Sequence, residues 1–355
     1  MNITADENIP FVKEAFSTLG TVRTVNGRTL NAADLKQTDI LLVRSVTQVN
    51  QALLEGTSVK YVASATAGFN HIDLNYLHSQ AIGFSRAPGS NAISAAEYVL
   101  AGIAYWAKKE NKTLSGLSIG IIGCGNVGSR VKRLCDAIGM HCVINDPPLE
   151  QQHNTDYIFS SLNEALACDI VTLHTPLSRD GYFPTYQLMN SKRINQIKKG
   201  GLFINAARGE VVEEPALLDR MQKQNDLTLI LDVWENEPRI ATEMLKKTLI
   251  GTPHIAGYSI DGKIRGTEMI YQSVCKFLDV APGWFASDVS LNGVKPSIEL
   301  NAEQNQLDEI LEAYDIEADS KQLKKILSDQ SLTNGVYFDS LRKNYPPRRE
   351  YSTLD

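Results

Sequence analysis

The sequence has little of what marks secreted, metal-binding or membrane proteins. It contains five cysteines among 355 residues and no CxxC pair, so neither a disulfide framework nor a zinc site is expected, and a reducing compartment is favoured. The first ten residues, MNITADENIP, have neither a basic nor an apolar segment, which predicts no signal peptide. The most apolar long stretch, residues 93–107, includes Glu97 and is too short to cross a bilayer. We therefore expect a cytoplasmic protein with no membrane partner and no metal.

The chain also lacks a surplus of basic residues. Its 35 Lys and Arg are outnumbered by 41 Asp and Glu, for a formal net charge of −6, whereas proteins that neutralise many phosphates are usually basic. No nucleic-acid partner is expected, while a small anionic substrate, which needs only two or three local cations, stays compatible with this charge. The hydrophobic content of 43% is ordinary globular usage, and the length predicts two or three domains.

Apolar runs typical of strands alternate with helical patterns along the first 280 residues, which predicts parallel sheets covered by helices. Apolar residues recur at intervals of three and four in residues 91–109, which indicates a long helix. Beyond Pro282 the chain becomes more polar, and residues 301–327 predict two exposed helices. Strands are predicted at 40–45, 60–66, 82–87, 118–122, 142–146, 169–176, 201–207 and 227–234, and further helices at 11–20, 127–138 and 261–280.

A GxGxxG motif, formed by Gly123, Gly125 and Gly128, lies between a predicted strand and a predicted helix. In a dinucleotide-binding turn the first glycine permits the tight turn, the second lets the pyrophosphate approach the backbone, and the third allows close packing of helix on strand. Asp146 ends the next strand, where an acidic residue accepts hydrogen bonds from the ribose and repels a 2′-phosphate. The motif predicts NAD rather than NADP as the cofactor; the alternative is a plain tight turn.

Arg208, Glu237 and His254 each follow a predicted buried strand in the second half of the chain. Ligands of parallel α/β sheets bind beyond the carboxyl ends of the strands. Hydride removal from a 2-hydroxy acid requires a base for the hydroxyl proton, a cation for the carboxylate and a carboxylate that orients the base. Histidine, arginine and glutamate suit these roles. The structural alternatives are a strand-end histidine, a surface ion pair and a loop carboxylate.

Three other strand ends carry polar residues. His174 is a second candidate base, but no acid–arginine pair accompanies it, and we interpret it as structural. Asp232 is either a cofactor contact or a buried structural aspartate. The turn formed by residues 66–68, Thr-Ala-Gly, ends a strand and can offer backbone amides to a carboxylate.

These motifs are similar to those of the D-isomer-specific 2-hydroxyacid dehydrogenase family, and the resemblance covers essentially the whole chain. It is closest to the branch of the family that oxidises 4-phospho-erythronate in vitamin B6 synthesis. The cofactor and catalytic motifs are shared across the wide family, whereas first-domain and tail segments indicate the branch. The segments that carry the resemblance are DEN at 6–8, VRSVT at 43–47, ASATAG at 63–68, PGSNA at 88–92, LDVWE at 231–235, HIAGY at 254–258 and LRKNY at 341–345.

The resemblance implies three domains and a homodimer. Residues 91–257 would form a Rossmann-like doubly wound parallel sheet, residues 1–90 with 258–286 a flavodoxin-like substrate domain, and residues 287–355 a small α+β dimerisation domain. Arg208, Glu237 and His254 would be catalytic, with His254 the proton acceptor. Substrate contacts are implied at Ser45, Thr66 and Tyr258, and NAD contacts at Asn126, Val127, Asp146, Thr175, Ala206, Ala207, Arg208, Asp232 and Gly257.

A phosphorylated 2-hydroxy acid also needs cations for its phosphate. Arg44 together with Ser45, at the end of a predicted strand, is the first candidate. The tail carries a basic cluster, which is either a solvated surface or a group that supports the dimer or reaches a neighbouring subunit's active site. This cluster consists of Arg342, Lys343, Arg348 and Arg349.

Two other functions stay open from the sequence. One is a D-2-hydroxyacid dehydrogenase that acts on phosphoglycerate, glycerate or lactate; a regulatory ACT-type tail would favour phosphoglycerate, but its repeated strand pattern does not occur after residue 287. The other is a non-catalytic NAD-sensing regulator on the same fold. The presence of all three predicted catalytic residues counts against the regulator.

Overall fold

The apolar runs of the sequence form short strands, most of them buried on both faces. The structure, a computed structural model, describes residues 1–153, 155–291 and 296–351. Strands such as Ile40–Val43 and Leu202–Asn205 have every side chain buried, as expected where helices cover both faces of a parallel sheet. Every pairing between the strands is parallel, so a crossover connects each strand to its neighbour.

In chain order, the strands are β1 (Asn2–Asp6), β2 (Thr21–Val25), β3 (Ile40–Val43), β4 (Tyr61–Ser64), β5 (Gly83–Arg86), β6 (Ser118–Ile122), β7 (His141–Asn145), β8 (Ile170–Leu173), β9 (Leu202–Asn205), β10 (Thr228–Leu231) and β11 (Ile250–Gly251). The helices are α1 (Val12–Phe16), α2 (Gln51–Leu54), α3 (Leu74–Ser79), α4 (Ala92–Lys109), α5 (Asn126–Ala137), α6 (Pro147–Glu150), α7 (Leu162–Leu166), α8 (Ser191–Ile194), α9 (Glu214–Lys223), α10 (Thr242–Lys247), α11 (Ile260–Phe277), α12 (Leu307–Ala313), α13 (Ile316–Lys324) and α14 (Asn334–Lys343). Among the described residues, none of the helices combines the length and apolarity of a membrane span.

The chain divides into two compact units. Unit 1 comprises Met1–Asn91 and Ser259–Val294, and unit 2 comprises Ala92–Tyr258 and Lys295–Asp355. The sheet of unit 1 has the order β2-β1-β3-β4-β5, which is the flavodoxin-like order. The predicted strands at 40–45, 60–66 and 82–87 are confirmed as β3, β4 and β5.

The sheet of unit 2 has the order β11-β10-β9-β8-β6-β7. Beyond β7, Phe159 forms a single parallel bridge with Ile144. With that bridge counted as a reduced strand, the order is that of a doubly wound Rossmann sheet. The predicted fold class, a Rossmann-like sheet together with a flavodoxin-like one, is confirmed. The order reverses between β6 and β8, and the crevice at such a reversal is where ligands of this fold bind.

The C-terminal part of unit 2 covers one edge of this sheet. In residues 296–351 the chain forms α12, α13 and α14, and no strand. The prediction of two helices is confirmed, but the prediction that they are exposed is wrong, because Ile310, Ile316 and Leu323 are fully buried. Ser320 Oγ accepts a hydrogen bond of 3.1 Å from the amide of Gly251 in β11, so α13 protects an edge strand that would otherwise offer unpaired backbone groups.

A buried arginine connects the helices on one face of unit 2. Arg220 in α9 is 3% exposed, and its Nε and Nη2 donate to the carboxylate of Asp226 at 2.9 and 3.2 Å. Its Nη1 and Nη2 also donate to the carbonyl oxygens of Ile194, the last residue of α8, and of Ile197, shortly after that helix. The hydrogen bond from Arg220 is the main reason that the pKa of Asp226 is lowered. The guanidinium therefore provides donors for two carbonyl oxygens and one carboxylate, and all three would lose this donor if Arg220 were replaced.

We expect Arg220→Ala to lower the free energy of unfolding by about 2–4 kcal/mol, because it leaves buried carbonyls and a carboxylate without their donor. The measurement is urea denaturation followed by circular dichroism. Lys223→Ala on the same helix is the matched control: its ion pair with Asp219 is exposed, and its loss should change stability by less than about 0.5 kcal/mol. Equal effects of the two substitutions would show that the buried network contributes little.

Candidate active site

The glycine-rich turn after β6 is shaped for close approach to a ligand. Gly123 has φ +88°, and a Cβ there would lie 2.9 Å from backbone atoms of His174 and Thr175. A Cβ on Gly128 would overlap the carbonyl oxygen of Gly123, so α5 packs directly against the turn. A Cβ on Gly125 would meet no atom within 4 Å. Gly125 is the N-cap of α5 and provides no side-chain acceptor, which leaves the first amides of the helix available to an anion.

Two further groups near this turn fit a dinucleotide. Asp146 follows β7, and its carboxylate accepts hydrogen bonds from the amides of Cys124 (2.7 Å) and Leu149 (3.0 Å), which fixes it beside the turn. Thr175 follows β8, and its Oγ1 is buried without a hydrogen-bond partner among the described residues. An unsatisfied buried hydroxyl costs about 1–3 kcal/mol, which a bound polar ligand would remove. Both residues lie at the reversal point of the sheet, where the sequence predicts NAD.

The side chain of His174, the alternative base, is buried and lies within hydrogen-bond distance of another side chain. Its Nε2 lies 2.9 Å from Thr172 Oγ1, and its Nδ1 is buried without a hydrogen-bond partner among the described residues. Burial lowers the pKa of His174 to about 3, so the ring is neutral and a weak base at physiological pH. This environment supports the interpretation of His174 as structural.

His254 and Glu237 form a hydrogen-bonded pair at the carboxyl ends of β11 and β10. His254 Nδ1 lies 2.7 Å from Glu237 Oε2, and both side chains are partly exposed. Glu237 Oε1 accepts a hydrogen bond of 3.0 Å from the amide of Trp234. Burial raises the pKa of Glu237, but the charge and hydrogen bond of His254, the Trp234 amide and the charge of Arg342 outweigh it, and the net pKa is lowered. The carboxylate is therefore ionised and orients the imidazole, whose Nε2 faces away from it.

The backbone of His254 is held in an unusual conformation. Its φ of 57° is left-handed, which non-glycine residues adopt at a cost of about 1–3 kcal/mol. Its amide donates to the carbonyl oxygen of Asp232 at 2.7 Å. The Asp232 carboxylate, 1% exposed, accepts hydrogen bonds from Thr252 Oγ1 and the amides of Ile255 and Ala256 at 2.7, 2.7 and 2.9 Å. These bonds support the structural interpretation of Asp232, while its cofactor contact stays a prediction.

Arg208 lies in the electrostatic field of the same pair. It follows β9, the strand beside β10, and its Nη1 donates to the carbonyl oxygen of Ala207 at 2.7 Å. Burial lowers the pKa of Arg208, and the negative charges of Glu237 and Glu210 oppose this shift. The structure thus brings Arg208, Glu237 and His254 to adjacent strand ends of unit 2. Ala206 and Ala207 precede Arg208 in the same loop, and Gly257 and Tyr258 follow His254 in the next one.

The predicted substrate residues of unit 1 lie at the carboxyl ends of β3 and β4. Arg44 Nε donates to Asp6 Oδ1 at 2.9 Å, and the Asp6 side chain is only 1% exposed. Burial and the positive charge of Arg44 lower the pKa of Lys263 in α11, which places a second cation near the first. Ser45 is exposed. The Thr66 hydroxyl donates to the carbonyl oxygen of Gly68 at 2.8 Å and so stabilises its own turn.

The tail residues Arg342 and Arg348 are not solvated like Lys343. Lys343 is exposed, but the Arg348 side chain is 8% exposed, so a solvated surface is the wrong interpretation for it. Both arginines contact the loop that follows His254 in the same unit. Sequence patterns give no signal of this burial, because a run of basic residues is usually solvent-exposed. Lys263 was missed for a similar reason, since only the packing of α11 brings it towards Arg44.

Comparisons with known proteins agree with this geometry. Residues 91–256 match the family described as D-isomer specific 2-hydroxyacid dehydrogenase, NAD binding domain, and residues 288–355 match a domain of unknown function. Among solved structures, the NAD⁺-bound 3-phosphoglycerate dehydrogenase of Entamoeba histolytica is similar with a TM-score of 0.68 and 25% identity, covering 79% of this chain and 95% of its own. The D-lactate dehydrogenase of Aquifex aeolicus, in complex with NAD and lactic acid, gives a TM-score of 0.62 and 27% identity, covering 79% and 96%.

Full-length relatives are more similar in sequence. The erythronate-4-phosphate dehydrogenase of Marinobacter nauticus is 42% identical over 362 residues, covering 100% of this chain and 94% of the relative. The protein of the same name from Proteus mirabilis is 40% identical, with the same two coverages. The chain therefore belongs to the D-isomer specific 2-hydroxyacid dehydrogenase family, in the group that these full-length relatives form.

Proposed function

We propose that this protein is an NAD-dependent dehydrogenase that oxidises 4-phospho-D-erythronate to 2-oxo-3-hydroxy-4-phosphobutanoate with formation of NADH, a step of vitamin B6 synthesis. The observation that carries the proposal is the 2.7 Å pair of His254 and Glu237 in the field of Arg208, in a chain about 40% identical over its full length to relatives named for this substrate. An imidazole, a carboxylate and a guanidinium at adjacent strand ends are what oxidation of a 2-hydroxy acid requires.

His254 is the base in this proposal. Its Nδ1 is engaged with Glu237, so Nε2 accepts the proton of the C2 hydroxyl. The Glu237 carboxylate stabilises the imidazolium that results, and Arg208 holds the substrate carboxylate and polarises the forming carbonyl. When bound, NAD supplies the acceptor for the hydride that leaves C2. Proton and hydride thus leave the substrate towards different groups, and the alcohol becomes a 2-oxo acid.

NAD would be held by the turn after β6 and the strand ends beside it. The open side of Gly125 and the first amides of α5, from Asn126 and Val127, suit the pyrophosphate. Asp146 suits the ribose hydroxyls and repels a 2′-phosphate, which favours NAD over NADP. The unsatisfied hydroxyl of Thr175 supplies a further polar contact.

The substrate phosphate would be held by Arg44 and Ser45. Among the described residues, Asp6 accepts a hydrogen bond from Nε of Arg44, and the terminal nitrogens of an arginine fork bind phosphate well. Lys263 adds a second positive charge nearby. Thr66 and Tyr258 would contact the remainder of the substrate.

We also propose that the protein acts in the cytoplasm as a homodimer. All five cysteines are free in the structure, which suits a reducing compartment. The family resemblance assigns the dimer to residues 287–355. Analytical ultracentrifugation of the full chain measures its mass directly.

The assay for this function is NADH formation with 4-phospho-D-erythronate, 3-phosphoglycerate, D-glycerate and D-lactate. We expect the highest kcat/KM with 4-phospho-D-erythronate. His254→Asn should lower kcat by roughly 10²–10⁴-fold, the usual contribution of a general base, while NADH affinity, measured by fluorescence, stays unchanged. Near-normal turnover by this variant would exclude His254 as the base, and a preference for another acid would exclude the proposed substrate.

Arg44→Gln should raise KM for 4-phospho-D-erythronate by about 10- to 100-fold, because a charge-assisted contact with phosphate is lost. Turnover of unphosphorylated D-erythronate serves as the control and should be equally slow in the wild type and the variant. If both substrates lose kcat/KM to the same degree, Arg44 does not bind the phosphate.

A further inference from the structure

The C-terminal segment contacts unit 2 immediately before His254. Lys324 Nζ in α13 donates to the carbonyl oxygens of Thr248 and Leu249 at 2.6 and 3.0 Å. Ser320 Oγ in the same helix accepts from the amide of Gly251 at 3.1 Å. These bonds fix β11, a strand of only two residues, three residues before the proposed base.

A second contact follows His254 directly. Arg348 Nη2 and Nε donate to the carbonyl oxygens of Ala256 (2.9 Å) and Tyr258 (3.1 Å). The same guanidinium donates to the carbonyl oxygen of Ser94 in α4 and lies 3.5 Å from the buried carboxylate of Glu97. Arg348 thus ties the loop after the proposed base to the central helix of the unit.

A third contact lies on the loop that carries Glu237. Asn334 Nδ2, at the start of α14, donates to the carbonyl oxygen of Ile240 at 2.7 Å. At Gly335 the helix comes so close that an added Cβ would lie 3.1 Å from Cγ of Arg239. The start of α14 therefore packs on the segment that follows Glu237.

Arg342, further along α14, faces the loop after His254. Its guanidinium carbon lies 6.0 Å from the ring centre of Tyr258 and 6.0 Å from that of Phe338, and its Nη1 lies 3.9 Å from Asp339. Its Nε is buried without a hydrogen-bond partner among the described residues. The positive charge of Arg342 also helps to lower the pKa of Glu237. Arg342 is thus a partly buried cation beside Tyr258, and its charge acts on the proposed catalytic carboxylate.

We propose that the C-terminal segment positions the two catalytic loops of its own chain, and that Arg342 is the positioning residue through which it acts on the pair of His254 and Glu237. This inference rests on the proposed function and gives a role to residues that match a domain of unknown function. Three anchors, one before His254, one after it and one beyond Glu237, fix both loops to a common support. The charge of Arg342 then favours the ionised form of Glu237, which is the form that orients the imidazole.

Other charges face the pair as well. Arg208 acts on Glu237 from the loop after β9, and Asp232 acts on His254 from the end of β10. Asp339 lies beside Arg342 on α14. These groups stay in place when Arg342 alone is replaced, so a change in pH dependence reports the charge that was removed.

The test compares Arg342→Gln with Lys343→Gln, the loss of an exposed cation at the next position of the same helix. Loss of the Arg342 cation favours protonation of the pair that it faces, so the acid limb of the kcat profile should move to higher pH. We expect kcat to fall roughly 10- to 100-fold, because the base is less well placed, with NADH affinity and melting temperature close to those of the wild type. Arg342→Lys, which keeps the charge, should restore the pH profile, and Lys343→Gln should match the wild type throughout.

Hydrogen exchange measured by mass spectrometry tests the positioning without substrate. We expect faster exchange in residues 235–241 and 254–258 of Arg342→Gln and of Asn334→Ala, the latter a milder change that removes only the bond to Ile240. Unchanged exchange together with an unmoved pH profile would overturn the proposal, as would equal changes in Lys343→Gln. If the wild type fails to oxidise 4-phospho-D-erythronate, the proposed substrate is wrong, whereas the exchange result still decides the positioning role.

Discussion

A buried carboxylate, that of Asp232, controls the geometry on which the site depends. Burial raises its pKa overall, although the charge of His254 and the donors that face it favour its charged form. Two of these donors are the amides of Ile255 and Ala256, and the third is the hydroxyl of Thr252. Residues on both sides of His254 are therefore tied to one carboxylate group, which holds the left-handed backbone between them. A strained conformation persists only where its surroundings over-determine it, and here they do.

Parallel topology explains how distant residues reach one another. Arg208, Glu237 and His254 follow β9, β10 and β11, which are neighbours in the sheet. Because the three strands are parallel, their carboxyl ends lie side by side, and each following loop adds one functional group to a row. The cofactor turn belongs to the other half of the same sheet, where the order reverses. Along the carboxyl ends of the strands of unit 2, the groups for cofactor binding and those for proton transfer therefore lie on different strands. The sequences of the loops set the chemistry at each position.

The sequence predicted the parts of the fold that depend on local pattern. The strand from 118 to 122, the glycine turn and the helix after it are confirmed, because a buried strand and an amphipathic helix have distinct periodicities. The strand Thr21–Val25 was not predicted, since it is half exposed at a sheet edge and carries polar side chains. The role of Asp232 stayed open, because spacing does not reveal which amides a carboxylate faces. The burial of Arg348 was not predicted, because it depends on α4 and on the loop after His254, which lie far from it in sequence.

The C-terminal segment supports an edge strand that leads directly to the proposed base. β11 pairs with β10 on one side only, and it carries His254 three residues beyond its end. A frayed edge would move the base directly, whereas fraying elsewhere in the sheet would be buffered by neighbouring strands. Side chains of α13 satisfy the amide of Gly251 in β11 and the carbonyl oxygens of Thr248 and Leu249 just before it, and Arg348 binds carbonyls beyond it. The C-terminal segment therefore stabilises the one strand whose displacement would most directly misplace the proposed base, and this holds whether or not the same segment also forms a dimer.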